Sequence, residues 1–250
     1  MEKPIRVPFP GGREALAIRV QNTEELPGAL RTLGLQSGHP VLVLVGGASK
    51  MDKQDWQRLQ TFFLEKLVPL ATTLGAAVVD GGTDTGIMQL MGQAHARLSA
   101  PFPLIGVAVA EKMTIPVDPS TQRAQPEPHH THFVLVPGVC WGDESSWMSH
   151  IANVLSAPAA SVTIVVNGGE TSWKDVEMSV AAGRPVIVVG GSGRTADVLA
   201  RALHGEVSDG RAERLLASHL LRVVDVQQDF NMFVHTINAM LVSRDGHDGI

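Results

Sequence analysis

The stretch VVDGGTDTGIMQLMGQA, residues 78–94, decides how the rest of the chain is read. A β-branched apolar run ends at Asp80, and a helical pattern starts by Gly86. Between them stand Gly81, Gly82, Thr83, Asp84 and Thr85. Glycines between a strand and a helix make either a tight turn or a cradle for an anion. The cradle is possible because glycine admits close backbone approach, and a helix N-terminus offers free N–H groups and the positive end of its dipole.

The same pattern recurs along the chain. Apolar runs at 41–46, 76–81, 103–110, 131–138, 161–169, 185–193 and 221–226 are continuous rather than alternating, as in parallel strands covered on both faces. Helical patterns near 52–74, 85–98, 143–156, 172–182, 194–204 and 229–242 lie between them. This alternation predicts an α/β fold: a Rossmann-like, doubly wound, mainly parallel sheet with helices on both faces. Residues 1–38 read as an N-terminal strand and helix packed on that domain, and residues 39–245 as the domain itself. The Pro-rich segment 116–130 reads as a functional loop or mobile lid, and the tail 243–250 as frayed.

In such a sheet, ligands bind beyond the C-terminal ends of the strands. Four ends carry Gly-Gly: Gly46-Gly47-Ala48, Gly81-Gly82-Thr83-Asp84-Thr85-Gly86, Gly168-Gly169-Glu170-Thr171 and Gly190-Gly191-Ser192-Gly193-Arg194. Each alone reads as a turn. Four on one edge predict a pocket for a phosphorylated nucleoside, with hydroxyls from Thr83, Thr85, Thr171 and Ser192 and a phosphate fork from Arg194. No full G-x-G-x-x-G or Walker loop is present. Asp84 is expected either to cap the following helix or to meet a ribose hydroxyl.

Composition narrows the classes. Hydrophobic residues make up 44% of the 250 and charged residues 18%, an ordinary globular balance. The net charge of −5 and the absence of a Lys/Arg cluster argue against a nucleic-acid partner. The single cysteine, Cys140, rules out an internal disulfide and reads as a buried or half-buried thiol. The N-terminus shows no signal-peptide pattern and no run is long enough to span a membrane, so a cytoplasmic location is expected. The mean hydropathy of +0.10 fits a homo-oligomer.

The ordered motifs VGGA, GGTDTGIMQLMGQA, PLIGVA, HHTHFVLV, WGDE, VVNGGETSWKDV and PVIVVGGSGRTADVLA resemble the LSDAT branch of the SLOG superfamily. That branch includes the N-terminal cytosolic region of TRPM cation channels and stand-alone prokaryotic relatives. The resemblance covers roughly residues 40–205 and implies a Rossmann-like domain that senses nucleotides, ADP-ribose-like molecules prominent among them. It places Gly81, Gly82, Thr83 and Gly86 in a first phosphate loop, and Gly191, Ser192, Gly193 and Arg194 in a last, with Asp197 one turn on. It also marks His130, His132, Phe133 and Glu144. Where channel relatives carry arginines after that glutamate, this chain has Trp147-Met148-Ser149-His150.

The wider superfamily holds the Lonely-Guy phosphoribohydrolases, whose motif P-G-G-x-G-T-x-x-E is approached by NGGETSWKD, residues 167–175. Asp175 stands where that glutamate would, with Glu177 beyond. Three readings follow. One is a nucleotide sensor or binding module. Another is an enzyme cleaving the N-glycosidic bond of a nucleoside monophosphate through Asp175 or Glu177. A third is a structural interaction domain with a vestigial pocket. No cofactor is required beyond the nucleotide ligand (ADP-ribose-like or a nucleoside monophosphate), and no metal is assigned. His129, His130 and His132 read as a strand edge, because three or four marked ligands are wanting. Trp141 reads either as a ring covering the pocket or as core.

Overall fold

The computed structural model describes residues 3–242 apart from 48–50, 52, 116, 119, 207–208 and 228–229. Among the described residues, nine strands form one sheet in the order β1-β2-β6-β5-β4-β3-β7-β8-β9. They are β1 Ile5–Pro8, β2 Glu14–Arg19, β3 Val41–Gly46, β4 Ala77–Asp80, β5 Leu104–Val109, β6 His132–Val136, β7 Ser161–Val166, β8 Val186–Gly190 and β9 Leu221–Asp225. Only β1 and β2 pair antiparallel; every other pairing is parallel.

The continuous apolar runs work as expected because both faces are covered. Along β3, Leu42 and Leu44 join one core, while Val41, Val43 and Val45 join another on the opposite face. The first face is covered by α2 (Lys53–Phe62), α3 (Val68–Leu74), α4 (Gly86–Arg97) and α9 (Phe230–Val242). The second is covered by α1 (Leu26–Thr32), α5 (Ser145–Ser156), α6 (Glu170–Ala181), α7 (Arg194–Leu203) and α8 (Gly210–Leu216).

Three details differ from the sequence reading. The helix expected over 52–74 is α2 and α3 joined by a π turn at Phe63–Leu67. Pro69 follows at once and supplies no N–H to the preceding turn. The N-terminal segment joins the domain's own sheet, since β2 pairs with β6 from Leu16↔His132 to Arg19↔Leu135. Strand β1 and helix α8 were not foreseen. The frayed tail falls outside the described residues.

The chain runs outward from β3 through β4, β5 and β6, then returns to add β7 on the other flank of β3. The C-terminal ends of β3 and β7 therefore border a crevice where connections leave in opposite directions, the place such sheets use for ligands. Across from it, Arg184 enters β8 fully buried. Its guanidinium donates to Ser161 Oγ at 2.9 Å, to the Ser149 hydroxyl at 3.1 Å and carbonyl at 2.9 Å, and to Asn153 Oδ1 at 2.6 Å. This fork ties α5 to the start of β7.

Candidate functional site at the strand switch

A cavity of about 400 Å³ opens at this edge. Its wall contains Gly46, Gly81, Thr83, Thr85, Glu144, Thr171 and Asp175, all named from sequence. Leu44, Met88, Met148 and Trp141 add an apolar side. Residues Glu144 and Met148 are four apart at the start of α5, and Thr171 and Asp175 four apart at the start of α6, so each helix shows the cavity one face.

The loop after β4 is shaped by a left-handed glycine. Gly82 has φ +64, and a β-carbon there would lie 2.7 Å from the Gly106 Cα and 3.0 Å from the Phe133 ring. The Gly82 N–H donates to Asp80 Oδ1 at 2.7 Å, and its carbonyl accepts from the Glu127 N–H at 2.9 Å. Thr85 is the N-cap residue of α4, while the Asp84 carboxylate accepts from Gln89 Nε2 at 3.0 Å.

A second group of glycines meets Arg194. A β-carbon added at Gly169 or Gly47 would come within 3.2 or 3.5 Å of its guanidinium nitrogens. The fork therefore lies against two strand-end loops beside the crevice. Asn167 organises this side. Its N–H donates to Ser192 Oγ at 2.8 Å and its amide to the Ser192 carbonyl at 2.7 Å. Ser192 is fully buried and also donates to the Val189 carbonyl at 2.5 Å. Asp197 accepts from the Gly191 N–H at 2.8 Å. Ser192 and Asp197 thus spend their polar atoms building the loop. Asn167, which holds φ +58, was not singled out from sequence, although Asn tolerates that region and precedes a Gly pair.

A family model described as SLOG in TRPM, prokaryote, matches residues 39–234. The chain belongs to that family. Curated relatives include transient receptor potential cation channel subfamily M member-like 2 of Nematostella vectensis, 25% identical over 239 residues, covering 80% of this chain and 15% of the channel. Subfamily M member 2 of Mus musculus is 26% identical over 213 residues, covering 70% and 14%. A transient receptor potential channel of Caenorhabditis elegans is 26% identical over 205 residues, covering 68% and 10%. The chain thus spans 15% or less of these relatives' length. Among its described residues, no helix is long and apolar enough to cross a membrane.

In this SLOG domain the electrostatics centre on two carboxyls. Burial, and then the neighbouring Glu144, push the Asp175 carboxyl up to about 7. Burial is also the main reason the Glu144 carboxyl is raised. Among the described residues, Asp175 Oδ1, Thr83 Oγ1 and Ser145 Oγ are buried without a hydrogen-bond partner. The Ser145 hydroxyl lies beside Asp175, near enough to favour its ionised form, without the geometry of a bond.

Other expected residues go elsewhere. Glu170 pairs with Arg211 at 2.7 Å on the surface. Glu177 is not in the cavity wall. Ala48 lies outside the described residues. His132 opens β6 and bonds the Leu33 backbone, on the face opposite Phe133, so it is not gathered with the cavity residues. Cys140 is exposed rather than buried, because the loop before α5 runs over the surface. Trp141 is half exposed and covers the cavity side.

The histidine stretch holds a buried ion cluster. His130 Nε2 lies 2.8 Å from Asp80 Oδ1, and its Nδ1 2.8 Å from Glu127 Oε2. Glu127 also meets His129 Nδ1 at 2.5 Å. With the bridge Thr83↔Pro126 and the Asp84 N–H donating to the Gln125 carbonyl, this cluster pins residues 125–130 of the expected lid to the loop after β4. Burial would lower the His130 pKa, but Asp80 and Glu127 outweigh it and raise it to about 9. A raised folded pKa gives stability that is complete below the unfolded value of 6.5 and lost as pH climbs through 9. The expected loss is about 3 kcal/mol. Asp175 gives up its contribution earlier, between 3.8 and about 7. Urea unfolding from pH 8 to 10, above the Asp175 titration, therefore reads His130: the native protein is expected to weaken steeply, and His130→Gln to start weaker and change little.

Proposed function

We propose that this chain is a nucleotide-binding module that takes an ADP-ribose-like molecule or a nucleoside monophosphate at the β3/β7 crevice. The observation that carries the reading is the convergence of glycine loops, the starts of α4 and α6, and the Arg194 fork on one edge beside the cavity. Helix starts and backbone N–H groups suit phosphate, and Arg194 adds charge and a planar fork. The apolar wall of Met88, Met148 and Trp141 suits a base. Family membership supports the reading, and the relatives named as cation channels suggest that occupancy is reported to something else. The module is read as cytoplasmic and self-associating, the latter open to light scattering.

Arg194→Ala is expected to weaken binding of AMP or ADP-ribose by about tenfold or more, as loss of one charge-assisted fork would. Calorimetric titration of both proteins measures it. Equal affinity would remove Arg194 from the site.

The enzyme reading is favoured by one observation, the Asp175 carboxyl raised to about 7 in the cavity beside Glu144. A carboxyl poised near neutrality is what acid–base work on a glycosidic bond wants. Asp175, rather than Glu177, would carry it. Chromatography of AMP incubated with the protein checks this: base release by the native chain, abolished in Asp175→Asn with binding retained, identifies the hydrolase.

A further inference from the structure

Thr83, Glu144 and Asp175 line the cavity, with Ser145 beside Asp175, and they offer polar atoms that phosphate binding does not use. Thr83 and Ser145 are 5% and 2% exposed, yet Thr83 Oγ1 and Ser145 Oγ have no partner among the described residues. Asp175 Oδ1 is equally sealed, with the Ser145 hydroxyl beside it. Glu144 stands beside them and keeps one oxygen on the Gly142 N–H at 2.9 Å. Buried polar atoms with unmet hydrogen-bonding capacity are costly, so Thr83 and the neighbouring Ser145 and Asp175 at one cavity point to a ligand that satisfies them.

From this, and resting on the nucleotide reading above, we propose that Thr83, Glu144, Ser145 and Asp175 recognise the free hydroxyls of a ribose. Two carboxyls in one place repel phosphate and accept hydrogen bonds, whereas two hydroxyl side chains both donate and accept. A cis-diol matches this set, since each of its hydroxyls gives one hydrogen bond and takes another. A cation is a poorer match, because among the described residues no three His, Cys, Asp or Glu side chains are grouped to hold one.

Connectivity places the sugar here rather than the base. Thr83 directly follows Gly81 and Gly82, and Asp175 lies one turn past the start of α6. The hydroxyl end therefore adjoins the loops that suit phosphate, as ribose adjoins the phosphate in a nucleotide. The base is left the wall of Met88, Met148 and Trp141. The class of ligand is thus a riboside with both hydroxyls free, not a deoxynucleotide and not a 2′- or 3′-phosphorylated one.

The test is calorimetric titration of AMP, 2′-deoxy-AMP and 3′-deoxy-AMP, with ADP-ribose alongside. The expected result is that removing either hydroxyl weakens binding by about tenfold or more, since a buried partner is left unpaired. In Asp175→Asn and Thr83→Val, the gap between AMP and its deoxy forms is expected to shrink, with circular dichroism confirming the fold. Deoxy forms that bind within about twofold of AMP overturn the hydroxyl assignment and leave the nucleotide site standing. If neither AMP nor ADP-ribose binds, the nucleotide reading falls and this one with it.

Discussion

Replacing Gly46 by alanine is expected to cost more than about 4 kcal/mol of folding stability, a loss reserved for severe core insults. Gly46 ends β3 opposite Val166 of β7. A β-carbon there would sit 1.9 Å from the Val166 carbonyl oxygen and 2.7 Å from Ile87 Cδ1. The first contact is with backbone, and β7 is held in register with β3 from Val41↔Ser161 onward. Neither strand can retreat without breaking that ladder, and packed interiors deform little. Gly210→Ala makes a fair control, because a β-carbon there meets nothing within 4 Å. Urea unfolding of both variants measures the difference. A loss below about 1 kcal/mol for Gly46→Ala would contradict the close approach of the two strands at the crevice.

Arg184→Ala is expected to cost about 3–5 kcal/mol. Truncation empties a large buried volume and strips partners from Ser161, Asn153 and the Ser149 carbonyl at once. Arg184→Met keeps most of the volume and is expected to recover only the packing part. Arg184→Lys keeps the charge but lacks the planar fork, so it serves fewer of these acceptors. Equilibrium unfolding orders the variants. If all three match the native protein, the fork contributes nothing to holding α5 on the sheet.

The sheet was legible because its strands are buried on both faces. Val41 to Val45 carry no polar residue to confuse the pattern, and the same holds for Val186 to Val189. Strand β1 escaped notice because Val7 alone of its four residues is buried, which leaves no periodicity to read. Helix α8 is seven residues long and gives too few turns for a clear period.

The glycine loops could be read locally, since a strand, two glycines and a helix start are adjacent in sequence. The meeting of the start of α5 with the start of α6 could not. Glu144 and Ser145 come to Asp175 only because α5 packs beside α6. Arg184, in Gly183-Arg184-Pro185, reads as an ordinary loop cation, and its burial depends on partners 23 to 35 residues away. His132 was misplaced because the motif HHTH does not reveal the strand's facing. The pairing Leu16↔His132 sets it, and it turns His132 away from His130.

The central claim is that the β3/β7 edge is a nucleotide site, and a thermal-shift series tests it most directly. The protein would be heated with ADP-ribose, NAD, AMP, ATP or inorganic phosphate. A ligand at about a hundred times its Kd adds about 2.7 kcal/mol. At this chain length the midpoint should then rise by roughly 5–10 °C. The account predicts such a rise with ADP-ribose or AMP, and none with phosphate alone. No rise with any nucleotide, or the same rise with phosphate, would contradict it.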